Sequence, residues 1–389
     1  MQHRLLLNDP GRLGEPAEPV VPPAGDGPAA PWDFHRRLPG YARSELRDLP
    51  ALAERLGVGS VTAKVETLRL GLPAYKILGA SWATYRAVLA GQAEPVRSWS
   101  DLDGLRAQLA PRGQLRLVAA TDGNHGRAVA RMARLLGWEA HVLVPRGTAR
   151  ARIDGIASEG AAVEVVDGSY EDAVATSATL ADERTLVVSD TAWEGYRDVP
   201  GWVVEGYDTV FAEADQQLAE AQLPPPTHVV VPVGVGSLAA AAARHFGPRA
   251  TTLVSVEPTS AACVMASVAA GTSVEVPGPH DSSMAGLNCG VPSPLALPVV
   301  RDTFRGFVAI DDHWAEVATR VLAGLDLAVG ESAAAALGGL LCLREEEAAA
   351  LGMGPSSSML LVLTEGVTDP VNYTRILGLP AGDAVPGRP

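Results

Sequence analysis

The stretch THVVVPVGVGSLAAAAA, residues 227–243, decides the fold class of this chain. Its valine-rich run favours a buried strand, its two glycines favour a tight turn, and its alanines favour a helix. Apolar runs of four to eight residues alternate with helical patterns between residues 60 and 366. Such alternation is typical of parallel strands buried on both faces. The sequence therefore predicts an α/β fold with doubly wound sheets.

The composition excludes several classes of protein. Of the 389 residues, 47% are hydrophobic, and the formal net charge is −14 with a pI of about 5.0. This negative charge argues against nucleic acids and anionic membranes as partners. No apolar run approaches the ~20 residues that a membrane span needs. The apolar stretch near the N terminus is too short for a signal peptide.

The cysteines and histidines give no sign of a metal site. Cys263, Cys289 and Cys342 are far apart and odd in number, and the eight histidines are scattered. None of them has the spacing of zinc ligands, so we expect no bound metal. Reduced thiols are typical of the cytoplasm, where we expect this protein to reside. Residues 10–31 are rich in Pro, Gly and Ala, and we expect residues 1–31 to form a flexible N-terminal arm.

Lysine is rare in this chain. The 31 Lys and Arg residues include only two lysines, Lys64 and Lys76. Lys76 lies in LPAYKILGAS, residues 72–81, between Tyr75 and an apolar run. Arginine stays protonated, whereas a desolvated lysine can lose its proton and attack carbonyls, including the aldehyde of pyridoxal phosphate (PLP). The alternative is codon bias with an incidental lysine.

A glycine turn follows the strand predicted at residues 227–234. Ligands of doubly wound sheets bind at the carboxyl ends of strands, so the loops that follow strands are the first places to look for a site. Gly234 and Gly236 expose backbone N–H groups around Val235, and Ser237 begins the next helix. The pattern suits one phosphate, without the motif of a dinucleotide or nucleoside triphosphate site. A glycine turn selected for packing is the alternative.

The loop TDGNHGRAVA, residues 121–130, follows another predicted strand. Its polar groups suit a small anionic or zwitterionic ligand. The possible donors to a ligand carboxylate are Thr121, Gly123, Asn124 and His125. The alternative is an ordinary helix cap made by an Asp or Asn side chain.

Three further polar residues end predicted strands. Asp190 could pair with a cationic substrate group or act as an acid or base, and a helix cap over aromatic packing is the alternative. Thr364 could hydrogen-bond a ring nitrogen. We expect Glu257 to serve in a structural salt bridge or a cap.

The order of these features resembles one superfamily. A lysine before a helix, an Asn-Gly loop, a glycine turn and a strand that ends in threonine are similar to the fold type II PLP enzymes related to the tryptophan synthase β-subunit. Within this superfamily, residues 34–375 resemble the diaminopropionate ammonia-lyase family. The most specific motifs include GLPAYKILGASWA (71–83), TDGNHGRAVA (121–130), SDTAWEGYRDVPGWVVEGY (189–207) and MAGLNCG (284–290).

The resemblance implies a homodimer of chains with two doubly wound, open twisted sheets. A large PLP-binding domain would comprise residues 32–95 and 200–389, and a small inserted domain residues 96–199. The resemblance places the cofactor's Schiff base on Lys76, with Tyr75 beside the ring. It assigns Asn124 to the ring hydroxyl, residues 234–237 to the phosphate and Thr364 to the pyridine nitrogen.

Asp122 distinguishes this family from the serine/threonine dehydratases, which usually have serine there. The resemblance implies α,β-elimination of L- or D-2,3-diaminopropionate to pyruvate and ammonia. Lys76 would take the Cα proton of one enantiomer, Asp122 would take that of the other, and Asp190 would hold the β-ammonium. The open alternative is a PLP-dependent β-replacement, or another β-elimination on a related β-substituted amino acid.

Overall fold

The computed structural model describes residues 2–8, 27–91, 95–121 and 123–380. The strands of these residues are β1 His3–Leu7, β2 Glu45–Asp48, β3 Ser60–Val65, β4 Arg116–Ala120, β5 Glu139–Pro145, β6 Ala162–Val166, β7 Thr185–Val187, β8 His228–Pro232, β9 Thr252–Pro258, β10 Gly306–Ile310 and β11 Ser358–Leu363. The helices are α1 Pro31–His35, α2 Pro50–Leu56, α3 Lys76–Ala90, α4 Leu102–Leu109, α5 Asn124–Leu136, α6 Arg150–Ala157, α7 Tyr170–Ala178, α8 Asp198–Glu220, α9 Ser237–Phe246, α10 Cys263–Ala270, α11 Ala296–Thr303, α12 Asp312–Ala323, α13 Glu331–Leu341, α14 Glu345–Ala350 and α15 Pro370–Leu377.

The chain divides into two compact units. The first unit comprises Met1–Ala17, Ser44–Leu68 and Val210–Pro389, and the second comprises Glu18–Arg43 and Arg69–Thr209. These limits differ from the domains expected from the sequence, which had their boundaries at residues 95/96 and 199/200. Helix α3 belongs to the second unit because it packs against α5 of the same unit.

The first unit is built on a seven-stranded sheet in the order β1-β10-β9-β8-β11-β3-β2. The five central strands are parallel, and the two edge strands β1 and β2 are antiparallel to their neighbours. Val229, Val230 and Val231 of β8 are fully buried, as expected for a strand covered on both faces. The predicted α/β architecture is confirmed.

The N-terminal residues differ in part from the flexible arm expected over residues 1–31. Residues 3–7 form β1, because the run HRLLL pairs along its whole length with β10. Residues 31–35 form α1. The remainder of the expected arm, residues 9–26, lies outside the described residues, as do residues 381–389 of the C-terminal tail.

The second unit is built on a parallel four-stranded sheet in the order β6-β5-β4-β7. Both sheets reverse their winding direction at one place. The chain runs from β4 to β5 and β6 on one side, and β7 then returns to the other side of β4. In the first unit β8, β9 and β10 run one way, and β11 returns to the other side of β8. Ligand crevices open at such points, beyond the carboxyl ends of the two adjoining strands.

No helix in the described part of the chain combines the length and the apolar character that a membrane crossing requires.

The start of α5 approaches its sheet closely at Gly126. A Cβ atom on Gly126 would lie 2.4 Å from Thr121 Cγ2 and 2.5 Å from Val142 Cγ1, and both neighbours are buried. Only glycine therefore allows the loop before α5 to stay against β4 and β5.

We predict that Gly126→Ala lowers the free energy of unfolding by about 1–3 kcal/mol, as overpacking of a filled core does. The matched control is Gly354→Ala, because that position has no atom within 4 Å of an added Cβ and no positive φ. Urea denaturation measures both variants. Equal stability of Gly126→Ala and the parent chain would contradict the close approach.

Glu257, on β9, caps helix α10 as the sequence suggested. Its carboxylate accepts hydrogen bonds from the backbone N–H groups of Val264 (2.8 Å) and Met265 (2.9 Å). Burial raises the pKa of Glu257 to about 8, although both backbone donors oppose this shift. The folded chain therefore binds a proton here between pH 4.5 and 8 that the unfolded chain has released.

Because the folded state binds this extra proton, stability should fall as the pH rises through that window. We predict that Glu257→Gln gains stability relative to the parent chain between pH 5 and 8, by at most about 1.4 kcal/mol per pH unit. Urea denaturation across this range measures the difference. Glu347→Gln is the control, because the Arg344 guanidinium lowers the pKa of Glu347 to about 2, outside the range. A constant difference for Glu257→Gln would refute the assignment.

Candidate active site

Lys76 begins helix α3 in the second unit and is paired with a carboxylate. Its side chain is only 19% exposed, and its Nζ donates a hydrogen bond of 2.6 Å to Asp190 Oδ2. Nζ also lies 5.7 Å from the centre of the Tyr75 ring. The structure thus brings together three residues that the sequence singled out separately.

The ion pair reverses the protonation expected of a buried lysine. Burial opposes the charge on Lys76, but nearby Asp190, assisted by Tyr207 and Tyr75, raises the pKa of the amine well above its usual value. Burial likewise opposes the charge on Asp190, and Lys76 and then His125 nevertheless hold the pKa of that carboxyl well below its usual range. In the ligand-free chain Lys76 is therefore an ammonium, and it must lose a proton before it can bond to a carbonyl carbon.

The loop that carries Asp190 is braced by aromatic side chains. The Tyr170 hydroxyl donates a hydrogen bond of 3.2 Å to Asp190 Oδ1. The Tyr196 hydroxyl donates to the Val187 carbonyl and accepts from the Ser189 N–H, and its ring stacks on Trp193 at 4.0 Å. Asp190 is not the N-cap of the next helix, since α8 begins only at Asp198. The aromatic packing is present, but it supports Asp190 as a charged site residue.

The loop after β4 leads into α5 at the same edge of the sheet. The Gly123 N–H donates to Thr121 Oγ1 at 2.9 Å, and Asn124 is the first residue of the helix. Gly123 has a φ of +153°, and an added Cβ would lie 3.2 Å from the buried Arg152 side chain. The N-cap is Gly123 itself, so Asn124 is not an ordinary side-chain cap. Asp122 lies outside the described residues.

His125 is oriented differently from the carboxylate donor that the sequence suggested. Its Nε2 lies 2.8 Å from the Val188 carbonyl oxygen, which can only accept, so Nε2 carries the hydrogen. Burial lowers the pKa of His125, so the ring is neutral and Nδ1 is an acceptor. Nδ1 is buried without a hydrogen-bond partner among the described residues, 3.9 Å from Asp190 Oδ2. It can receive a donor from a ligand, but it cannot donate to a carboxylate.

In the first unit the glycine turn forms the N terminus of α9. Gly236 is the N-cap with a φ of +101°, Ser237 is the first helical residue, and Val235 is buried. A Cβ on Gly234 would lie 3.1 Å from Cys289 Sγ and 3.2 Å from the Gly286 carbonyl oxygen. The first backbone N–H groups of α9 lie at the positive end of a helix dipole, as an anion site requires.

Thr364 lies beside this turn in the sheet order. It directly follows β11, which pairs in parallel with β8, and it is 6% exposed. The turn and Thr364 therefore end the two strands that flank the winding reversal of the first unit. The loop at residues 121–125 and Asp190 follow the corresponding two strands of the second unit, β4 and β7.

These residues fit PLP. Lys76 offers a primary amine for the aldehyde, the N terminus of α9 offers N–H groups for a phosphate, and Thr364 offers a hydroxyl for the ring nitrogen. The unpartnered Nδ1 of His125 also points to a ligand that supplies a donor. Within residues 2–8, 27–91, 95–121 and 123–380, no cluster of three or more His, Cys, Asp or Glu side chains has the arrangement of a metal site.

Sequence reasoning missed two tyrosines of this site. Tyr170 follows strand β6, so the strand-end rule that identified Asp190 would have found it. Tyr207 lies within helix α8, and no strand-end or spacing rule singles it out.

Comparison with known proteins places the chain in a family. The model of the family described as pyridoxal-phosphate dependent enzyme matches residues 37–365. The diaminopropionate ammonia-lyase of Salmonella typhimurium is 36% identical over 369 residues, covering 88% of this chain and 90% of the relative. The enzyme of that name from Escherichia coli K12 is 33% identical over 359 residues, covering 88% of this chain and 89% of the relative.

Solved structures agree with this result. Diaminopropionate ammonia-lyase from Escherichia coli, in complex with an aminoacrylate-PLP azomethine reaction intermediate, superposes with a TM-score of 0.85 at 29% identity and covers 97% of each chain. Maize serine racemase, at 22% identity, shares the fold with a TM-score of 0.69, over 87% of this chain and 92% of the racemase chain. With a lysine, a carboxylate and a glycine turn that fit the cofactor, the chain belongs to the diaminopropionate ammonia-lyase family of PLP-dependent enzymes.

Proposed function

We propose that this chain is a PLP-dependent carbon–nitrogen lyase that removes ammonia from L- or D-2,3-diaminopropionate, or from both, and yields pyruvate and ammonia. The observation that carries the proposal is the contact of 2.6 Å between Lys76 Nζ and Asp190 Oδ2. In the ligand-free chain Asp190 already binds a primary ammonium. A substrate with a β-ammonium presents the same kind of cation to the same carboxylate.

The family resemblance leads us to propose which residues would hold the cofactor. Lys76 would bind its aldehyde carbon covalently, with Tyr75 beside the ring and Asn124 at the ring hydroxyl. The phosphate would accept hydrogen bonds from the backbone N–H groups of residues 234–237, and Thr364 would hydrogen-bond the ring nitrogen. When bound, PLP draws electrons away from the Cα of an attached amino acid.

The protein's own groups would then manage the protons and the leaving group. Lys76, as a neutral amine, takes the Cα proton of one enantiomer, and Asp122 takes it from the opposite face in the other. Asp190 orients the β-ammonium, which keeps the electron pair of its C–N bond and leaves as ammonia. Water hydrolyses the remaining enamine to pyruvate and a second ammonia. Thr121, Gly123 and His125 would line the substrate, and His125 Nδ1 accepts a hydrogen bond.

The family resemblance also leads us to propose a homodimer in the cytoplasm. All three cysteines are buried free thiols, which suits a reducing compartment.

The proposed reaction is tested by supplying a panel of β-substituted amino acids to the purified, PLP-loaded protein. We predict pyruvate and two equivalents of ammonia from 2,3-diaminopropionate. The assay is repeated with an added thiol or amine. A new amino acid in place of pyruvate would reject the lyase in favour of a β-replacement synthase.

We predict that Lys76→Ala abolishes the near-visible absorbance that PLP gives when it is bound to the parent protein, because the covalent link is lost. Lys64→Arg, which retains the buried positive charge of the other lysine, should keep the band. Circular dichroism verifies that both variants are folded. A folded Lys76→Ala variant with an unchanged band would eliminate Lys76 as the attachment site.

We predict that Asp122→Asn lowers kcat/KM for the D enantiomer about 100-fold or more, the usual effect of removing a general base, and affects the L enantiomer much less. Asp190→Asn is the control. This variant should lose kcat/KM equally for both enantiomers, because Asp190 binds the β-ammonium and does not take the Cα proton. Steady-state kinetics on both enantiomers provide the comparison. Equal losses in Asp122→Asn would contradict the two-face scheme.

A further inference from the structure

Two glycines hold helices α3 and α8 in close contact within the second unit. A Cβ on Gly206 would lie 2.5 Å from the Leu78 carbonyl oxygen and 2.8 Å from Gly79 Cα. A Cβ on Gly79 would lie 2.4 Å from Tyr207 Cε1. The backbones therefore touch, and the Tyr207 ring lies flush against the first turn of α3, which begins with Lys76.

The Tyr207 hydroxyl is a buried polar group. The residue has no exposed surface, and its ring centre lies 4.7 Å from that of Tyr75. In the described part of the chain no group forms a well-aligned hydrogen bond with its hydroxyl, and the Lys76 side chain is the polar group that it contacts. Buried hydroxyl groups are nearly always bonded, so an orphan of this kind needs an explanation.

The Lys76 amine and the Tyr207 hydroxyl each influence the pKa of the other. Burial raises the pKa of Tyr207, and the ammonium of Lys76 opposes that shift. In return, Tyr207 contributes to the raised pKa of Lys76 after the larger contribution of Asp190. The titratable groups that face the amine are thus Asp190, Tyr207, Tyr75 and His125.

We propose that Tyr207 is a positioning residue whose hydroxyl becomes the hydrogen-bond partner of the Lys76 amine when Asp190 engages another cation. The inference rests on the proposed function, in which the substrate's β-ammonium occupies Asp190. Lys76 then loses its carboxylate partner. The Tyr207 oxygen can accept from an ammonium, and its O–H can donate to a neutral amine. It therefore holds the lysine in place in either protonation state.

The test uses the cofactor-free protein, so it does not depend on activity. Reductive methylation modifies only the neutral fraction of an amine, and the chain has only two lysines to follow by peptide mass spectrometry. We predict that at pH 9 Lys76 is methylated about tenfold faster in the Tyr207→Phe variant than in the parent chain. The Tyr207 hydroxyl stabilises the charged amine, so its removal lowers the pKa of Lys76, and a shift of about one unit gives this factor.

The matched control is Tyr85→Phe. Tyr85 is also buried on α3, and its hydroxyl has no hydrogen-bond partner among the described residues. It lies beside Trp99 and nine residues from Lys76, or roughly 13 Å along the helix. The Tyr85→Phe variant should leave the methylation rate of Lys76 unchanged. Lys64 is fully buried and hydrogen-bonded, so it should stay unmodified in every variant that remains folded. An unchanged Lys76 rate in a folded Tyr207→Phe variant would overturn the proposal.

A second background separates positioning from packing. In Asp190→Asn the carboxylate is gone, so Tyr207 becomes the main partner of the amine. Adding Tyr207→Phe to Asp190→Asn should then accelerate methylation more than it does in the parent chain. A smaller or absent effect there would show that Tyr207 only fills space. Because no turnover is measured, failure of this test leaves the proposed lyase reaction unaffected.

Discussion

The ion pair between Lys76 and Asp190 is the constraint on which the rest of the site depends. A buried ammonium without a partner is costly, and the carboxylate at 2.6 Å keeps Lys76 charged. The pair fixes where the amine points. It also sets a requirement for catalysis, because the proton must leave Lys76 before the amine can act as a nucleophile. Two side chains near the pair meet this requirement. Tyr170 holds Asp190, and His125 Nδ1 remains as an acceptor near it.

The topology of both sheets explains why polar residues far apart in sequence meet. In each unit the winding direction reverses once, and the functional loops follow the two strands that flank the reversal. In the second unit these loops are residues 121–125 and the loop of Asp190. In the first unit they are the glycine turn at 234–237 and Thr364. The same physical rule, that strand carboxyl ends leave an open crevice, thus operates twice in one chain.

Much of this arrangement could be predicted from the sequence. The strands around the glycine turn and helix α9, predicted over residues 237–246, match the structure because apolar runs and alanine segments report burial and helix propensity directly. Strand β1 was missed because a short edge strand acquires its structure from pairing with β10, which local sequence does not reveal. The charge of Lys76 was also missed. It depends on a carboxylate 114 positions away, and only the fold shows that distance to be short.

A comparison of the two lysines tests the central claim that the cofactor is bound to Lys76 and not to Lys64. Lys64 Nζ donates to Glu213 (2.8 Å), Gln217 (2.7 Å) and the Ser44 carbonyl (3.0 Å), so its three protons are all engaged, and the Lys64 and Glu213 side chains are fully buried. The most direct measurement is borohydride reduction of the PLP-loaded protein, which fixes the cofactor to its lysine, followed by peptide mass spectrometry. The account predicts the phosphopyridoxyl mass on the peptide that contains Lys76 and an unmodified Lys64. The added mass on Lys64, or on neither lysine, would contradict it.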